Sequence, residues 1–84
     1  MYWDVVEVTP QSNLVLFVRF SDGMTGNVRF LPSHFTGVFS PLLSDDFFKQ
    51  VFVENGVVTW PGEIDLAPDA MYDEIKKHGE WILD

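Results

Sequence analysis

The feature that most constrains this chain is an alternation of apolar residues ahead of a short turn. From Asn13 to Phe20 every even-numbered residue is apolar, whereas the odd-numbered ones include Arg19. Successive side chains of a strand point to opposite faces, so the pattern predicts a strand whose even face lies in the core. A first strand is predicted before it, from Trp3 to Thr9, ending at Pro10.

The turn after this strand has two competing registers. A two-residue loop would place Asn27 and Arg29 among the core-facing residues, because a one-residue slip moves every side chain to the opposite face. A three-residue loop, Ser21-Asp22-Gly23, instead pairs apolar with apolar and needs Gly23 in the left-handed region. We expect the three-residue loop. It pairs Phe20 with Met24, Leu16 with Val28 and Leu14 with Phe30.

A second hairpin is predicted around Asn55-Gly56, a dipeptide typical of two-residue hairpin turns. It joins the segments 50–54 and 57–60, with Val53 opposite Val58 and Val51 opposite Trp60. Between the hairpins, Pro32 to Gly37 is predicted to be a loop. The Ser-Pro and Ser-Asp-Asp sequences between Ser40 and Lys49 predict one or two short helical turns.

The last predicted element is a helix that starts at Pro68 and stops at Gly79. Proline and an acid stand at its start, bases stand in its last turn, and Gly79 is suited to end it. Its apolar stripe consists of Met71, Tyr72 and Ile75. The tail that follows is apolar, so we expect it either to pack back on the domain or to meet another chain. The tail residues concerned are Trp81, Ile82 and Leu83.

Length and composition indicate a single α+β domain spanning residues 1–84, in the order β-β-β-α-β-β-α. With 46% hydrophobic residues the chain has enough core material to fold, and its lack of Cys favours a reducing, cytoplasmic compartment. The N-terminal residues lack the basic and then apolar order of an export signal. We also expect no membrane span, because no stretch reaches about 18 apolar residues.

The charge is strongly negative and uneven. Thirteen acids oppose five Lys and Arg, a net charge of −8, and residues 54–84 hold eight acids and two bases, a balance of −6. Direct nucleic-acid binding is disfavoured, because phosphate contacts need clustered Lys and Arg. A basic protein partner is favoured instead. The simpler alternative is that the acids only keep the protein soluble.

One long segment is similar to a known family. The run from Val57 to Tyr72, Val-Val-Thr-Trp-Pro-Gly-Glu-Ile-Asp-Leu-Ala-Pro-Asp-Ala-Met-Tyr, follows an earlier Phe-Ser-Asp-Gly and a Pro-Leu-Leu turn. It resembles the bacterial family catalogued as domain of unknown function 2442. The most specific part is Trp60, then Asp65-Leu66 five residues later, then Pro68 opening a helix. Many members have Asn-Gly where this chain has Gly62-Glu63, which leaves the conformation of that turn open.

The resemblance implies a small meander-plus-helix domain without enzymatic activity. Some members are joined to a helix-turn-helix domain, and some are encoded beside a small toxin-like protein. This implies an antitoxin or regulatory role. DNA recognition is not carried over, because the helix-turn-helix part has no counterpart in this chain.

The most suggestive cluster of side chains lies at the junction of the last hairpin and the final helix. It could form an acidic, aromatic-rimmed patch that docks Lys or Arg of a partner, with Trp60 or Tyr72 as anchor. The competing interpretation gives each member a structural role: a core Trp60, an Asp65 that bonds turn donors, an Asp69 at the helix start. The candidate residues are Trp60, Glu63, Asp65, Asp69, Tyr72 and Asp73.

Catalytic and metal chemistry have little support in the sequence. The carboxylates do not follow the spacing of a calcium-binding loop, and no Ser or Cys stands in a motif that would use a histidine as base. His78 suits the C-terminus of a helix, and His34 stays unassigned. We therefore expect no catalytic residues, no metal and no cofactor.

Three hypotheses of function remain open. The leading one is a non-enzymatic interaction or regulatory domain that binds a basic partner through its acidic C-terminal half. The second is a small ligand-binding or weakly catalytic domain that uses the Trp60 to Asp73 region. The third is a homodimeric structural module that assembles through its apolar tail and any open strand edge.

Overall fold

A computed structural model describes residues 1–11, 14–34 and 37–83. The two α-helices described are α1 and α2, and two 3₁₀ segments lie between the hairpins, at Pro32–His34 and Gly37–Leu43. The described strands and helices are β1 (Val5–Gln11), β2 (Val15–Phe20), β3 (Thr25–Phe30), α1 (Asp45–Phe48), β4 (Phe52–Glu54), β5 (Val57–Trp60), β6 (Ile64–Leu66), α2 (Pro68–His78) and β7 (Glu80–Leu83).

The strands form two sheets. One has the order β1-β2-β3-β7 and the other the order β4-β5-β6. Within the first sheet β7 runs parallel to β3, while the other pairings in both sheets are antiparallel. The α+β class and the two predicted hairpins are confirmed, and β6 and β7 are additions to the predicted order.

The register of the first hairpin is the predicted one. Leu16 pairs with Val28, and the Phe20 amide donates to the Met24 carbonyl at 2.8 Å across a three-residue loop. Gly23 has a φ of 93°, which glycine adopts without the steric cost that a side chain would bring. Four of the core-facing residues expected from the alternation are at most 2% exposed: Leu16, Val18, Val28 and Phe30.

The predicted bounds of the first two strands were wrong at several points. β1 begins at Val5 and passes through Pro10, which pairs with Leu16, before ending at Gln11. A proline fits there because β1 is an edge strand, where a missing N–H need not interrupt the hydrogen-bond ladder. β2 begins only at Val15; Leu14 has a φ of 62°, and Asn13 lies outside the described residues.

The second hairpin also has its predicted register. Val53 pairs with Val58, and both turn residues have positive φ, 53° at Asn55 and 80° at Gly56. Two left-handed residues in succession are what a type I′ turn requires, so Asn-Gly is well suited to the position. The predicted start of the hairpin's first strand was wrong: the segment 50–54 was expected, whereas β4 begins at Phe52.

The segment between the hairpins contains the expected helical turns. Ser44 caps α1 by accepting a hydrogen bond from the Phe47 amide at 3.4 Å. Pro41 lies inside the 3₁₀ segment Gly37–Leu43. The predicted loop from Pro32 to Gly37 differs in that it begins with the 3₁₀ turn Pro32–His34; Phe35 and Thr36 lie outside the described residues.

Strand β6 was missed, and it settles the conformation of the Gly62-Glu63 turn. The chain reverses between Trp60 and Ile64, which pair with each other. Gly62 and Glu63 both have positive φ, 91° and 64°. The Thr59 hydroxyl donates to the Ile64 carbonyl at 2.8 Å, which holds the new strand against β5. Three residues were too few for a periodic pattern to reveal this strand.

Helix α2 has the predicted bounds and places its apolar stripe on the core. Pro68 is its first residue, and Gly79 ends it with a φ of 80° while donating to the Ile75 carbonyl at 2.7 Å. The helix packs against β3 and β7. The stripe residues Met71, Tyr72 and Ile75 are buried.

The apolar tail packs back on its own domain as β7. Trp81 pairs with Val28 of β3, and the Leu31 amide donates to the Leu83 carbonyl at 2.8 Å. Trp81 and Leu83 are partly buried against the core, whereas Ile82 is 49% exposed. A dimer formed through this tail stays a prediction.

Candidate interaction surface

Trp60 lies in the core. It is 1% exposed, and its indole Nε1 donates a hydrogen bond of 2.9 Å to the carbonyl of Phe48. It also packs at an angle against the rings of Phe30 and Phe48. This tryptophan holds α1 against the second hairpin and offers no open face to a partner.

Four predicted carboxylates are exposed along three successive elements. Glu63 is in the turn after β5, Asp65 is on β6, and Asp69 and Asp73 are on α2. Asp69 and Asp73 lie on one face of that helix, four residues apart. Within the described residues none of the four is in an ion pair within 4 Å. We call Glu63, Asp65, Asp69 and Asp73 the acidic surface.

Of these four, Asp69 has an additional structural role. Its Oδ1 accepts a hydrogen bond of 2.9 Å from the Ala70 amide in the first turn of α2. A carboxylate there also interacts favourably with the helix dipole. The N-cap residue, Ala67, has no side chain that could make such a bond. Asp65 is an exposed residue of β6, paired with Thr59.

Most cations of the chain are paired with acids elsewhere. Three ion pairs connect Arg19 to Glu7 at 3.0 Å, Arg29 to Glu80 at 3.4 Å, and Lys49 to Asp45 at 3.0 Å. Each pair is well exposed, so it stabilises the fold little. They use three of the five Lys and Arg; the other two, Lys76 and Lys77, follow Asp73 on α2 and form no ion pair within 4 Å with it.

Tyr72 is buried and hydrogen-bonded. It is 7% exposed, and its hydroxyl donates to Asp22 Oδ2 at 2.5 Å. This bond, with burial, raises the pKa of Tyr72 to about 12. The same bond, with a second from the Met24 amide, lowers the pKa of Asp22. The single O–H of Tyr72 is therefore already donated within the fold and cannot be donated to a partner.

Further aromatic residues surround Tyr72. The rings of Tyr2 and Phe20 meet it edge to face, with centroids 4.9 Å and 5.0 Å away. The ammonium group of Lys76 lies 6.0 Å from the centre of the Tyr72 ring, at the limit of a cation–π contact. Sequence reasoning missed Tyr2 and Asp22 here, because they come from distant parts of the chain.

The two histidines lie in different parts of the fold. His78 Nε2 is 3.7 Å from Glu74 Oε2 near the end of α2, and His34 ends a 3₁₀ turn. In the described part of the chain no three His, Asp or Glu side chains are grouped so that they could hold a metal ion. No pocket was found on the surface of the described part of the chain. No helix in this part is long and apolar enough to cross a membrane.

The fold and this surface define a small α+β domain with an acidic C-terminal half, in which the four carboxylates of the acidic surface form no ion pair among the described residues. A family model matches residues 5–77, which is most of the chain. The chain belongs to the family described as protein of unknown function, DUF2442. Comparisons with curated proteins and with solved structures gave no significant match.

Proposed function

We propose that this protein is a non-enzymatic interaction domain with a regulatory, antitoxin-like role in the cytoplasm. It binds a basic protein partner through the acidic surface formed by Glu63, Asp65, Asp69 and Asp73. The observation that carries the proposal is that these four carboxylates are exposed and form no ion pair among the described residues.

The distribution of charge supports a partner rather than solubility alone. An acid that only solubilises can stand anywhere on the surface, whereas these four fall within eleven consecutive positions, 63–73. A patch of one charge sign steers an oppositely charged protein and raises its association rate. The paired acids Glu7, Asp45 and Glu80 lack this property, because each already has a cation beside it.

The test is co-purification of a partner from a lysate of the protein's own cells at low salt. Three forms are compared: the wild type, a surface variant and a control variant. The surface variant carries Glu63→Gln, Asp65→Asn, Asp69→Asn and Asp73→Asn. The control variant carries Glu7→Gln, Asp45→Asn, Asp46→Asn and Glu80→Gln. Each loses four negative charges, from −8 to −4.

The proposal expects one basic protein to be recovered in stoichiometric amount with the wild type and the control variant. The surface variant should lose it. Equal recovery by all three forms would show that the acidic surface is not the binding site, and recovery of no stoichiometric protein by any form would contradict the interaction role.

A second candidate function is homodimerisation through β7, favoured by the position of this strand at the edge of its sheet and by the exposure of Ile82. An edge strand presents backbone groups that a second strand can pair with. Sedimentation of the wild type and of Ile82→Lys tests it. A dimer in the wild type that dissociates in the variant supports this role, and a monomeric wild type excludes it.

A further inference from the structure

The sheet β4-β5-β6 has two faces of different character. Val58 and Trp60 point to the core and are at most 1% exposed. The alternate residues lie on the opposite face, which we call the outer face, and three of them form one row across the sheet. Phe52 pairs with Thr59, and Thr59 pairs with Asp65.

This outer face carries an exposed aromatic ring. Phe52 is 41% exposed, while Thr59 beside it is 7% exposed and has its hydroxyl bonded to the Ile64 carbonyl. Helix α2 packs against β3 and β7 of the other sheet. The row therefore consists of a ring, a satisfied polar residue and a carboxylate.

Carboxylates stand on two sides of the ring. Glu54 follows two residues later on the same strand and so shares its outer face, and Asp65 lies two strands away. With strands about 4.8 Å apart, the backbones at Phe52 and Asp65 are roughly 10 Å apart, within reach of one long cationic side chain. Neither Glu54 nor Asp65 has an ion pair among the described residues.

We infer that Phe52 is the aromatic anchor of the binding surface, a role that sequence reasoning gave to Trp60 or Tyr72. An Arg or Lys of the basic partner lies over the Phe52 ring and directs its charge to Asp65 or Glu54. A guanidinium group suits this position best, because it stacks on aromatic faces and bonds carboxylates in the same plane. The inference rests on the proposed function and adds the outer sheet face to the acidic surface.

The occupant is a basic segment, because of charge complementarity. A second copy of this chain would bring the same two carboxylates against Glu54 and Asp65, and like charges brought together oppose association. An uncharged apolar partner would leave both carboxylates beside a dry contact with nothing to neutralise them.

The experiment is an NMR titration of the ¹⁵N-labelled protein with an octaarginine peptide at low salt. Phe52→Ala removes the ring, and Phe52→Leu keeps an apolar side chain of similar bulk without the aromatic face. Leu31→Ala is the matched control, since Leu31 is exposed to a similar degree, 39% against 41%, and lies beyond the end of β3 in the other sheet. Thermal unfolding of each variant verifies that it is folded, and sedimentation of the wild type reports self-association.

The inference expects the peptide to shift the amide signals of Phe52, Glu54, Thr59 and Asp65. Phe52→Ala and Phe52→Leu should each weaken binding by about two- to five-fold, the range of an exposed cation–π contact, while Leu31→Ala leaves it unchanged.

Each of the other outcomes contradicts either the anchor role of Phe52 alone or the proposed function as well. Unchanged affinity in both Phe52 variants, with binding still lost in the surface variant, rejects the anchor and leaves the proposed function standing. No binding by the wild type contradicts both. A wild-type dimer that Phe52→Ala dissociates assigns the face to a second copy of the chain and overturns the inference.

Discussion

The Tyr72 hydroxyl and the Asp22 carboxylate join the last helix to the turn of the first hairpin, fifty residues apart in the chain. Tyr72→Phe removes only this bond, because the ring and its contacts with Tyr2 and Phe20 are kept. We expect a clear fall in melting temperature with the fold retained. The control is Tyr2→Phe, whose ring is 53% exposed; its melting temperature should change less.

The same bond gives a pH dependence of known sign. The pKa of Tyr72 is raised from 10.0 to about 12, so its contribution to stability is fully present below pH 10 and is lost as the pH rises through about 12. The melting-temperature difference between the wild type and Tyr72→Phe should therefore shrink across this interval. A difference that stays constant to pH 12 would show that the hydroxyl does not bond a carboxylate.

At low pH the same hydrogen bond is weakened by protonation of its other partner, Asp22. Because the pKa of Asp22 is lowered in the folded protein, its contribution is present above the ordinary carboxyl pKa, 3.8, and is lost as the pH falls through the lowered value. The wild type should approach Tyr72→Phe in stability there too. Urea unfolding of both forms at a series of acidic pH values measures this.

Trp60→Phe should destabilise the domain by about 1–3 kcal/mol, because the Phe48 carbonyl loses its buried indole donor. Loss of ring volume in the core adds to this cost. Urea unfolding followed by circular dichroism measures the change. Phe52→Leu, made on the outer face of the same sheet, should cost much less, and an equal cost would place Trp60 outside the core.

Gly26→Ala should also destabilise the protein, by about 1–3 kcal/mol, since an added methyl group would overpack the interface between β3 and α2. A Cβ at Gly26 would lie 2.5 Å from Ile75 Cγ2 and 3.2 Å from the backbone carbonyl oxygen of Gly79. A double variant that adds Ile75→Val tests the cause. Partial recovery of stability is expected if Ile75 is the obstacle.

The two hairpins could be predicted because their information is local. The alternation of apolar residues identified the core face of β2. Of the two possible turn lengths, only the three-residue loop that ends at Gly23 paired apolar residues with apolar residues. Asn55-Gly56 fixed the second register in the same way. The helix was equally local, since Pro68 and Gly79 mark its two ends.

Features that depend on distant contacts could not be predicted. Pro10 was interpreted as a strand end, because the sequence does not show that β1 lies at a sheet edge. Strand β7 exists because its residues pair in parallel with β3, some fifty residues earlier, and no local pattern contains that partner.

For the candidate site, the sequence predicted the exposed acids but not the positions of the aromatic residues. Its four acids are exposed, but Trp60 and Tyr72 are buried, and the bond from Tyr72 to Asp22 gave no signal in the sequence. Phe52 could have been found, since the predicted second hairpin already placed Val53 and Val58 on one face and therefore Phe52 on the other.

The central claim is that the acids of the C-terminal half serve a basic partner. The most direct measurement is titration calorimetry of the recovered partner with the wild type, the surface variant and the control variant, from about 0.05 M to about 0.5 M salt. The account predicts wild-type and control affinities that are similar and fall with salt, and a surface variant at least about tenfold weaker at low salt, a difference of about 1.4 kcal/mol. Three equal affinities that are insensitive to salt would contradict it.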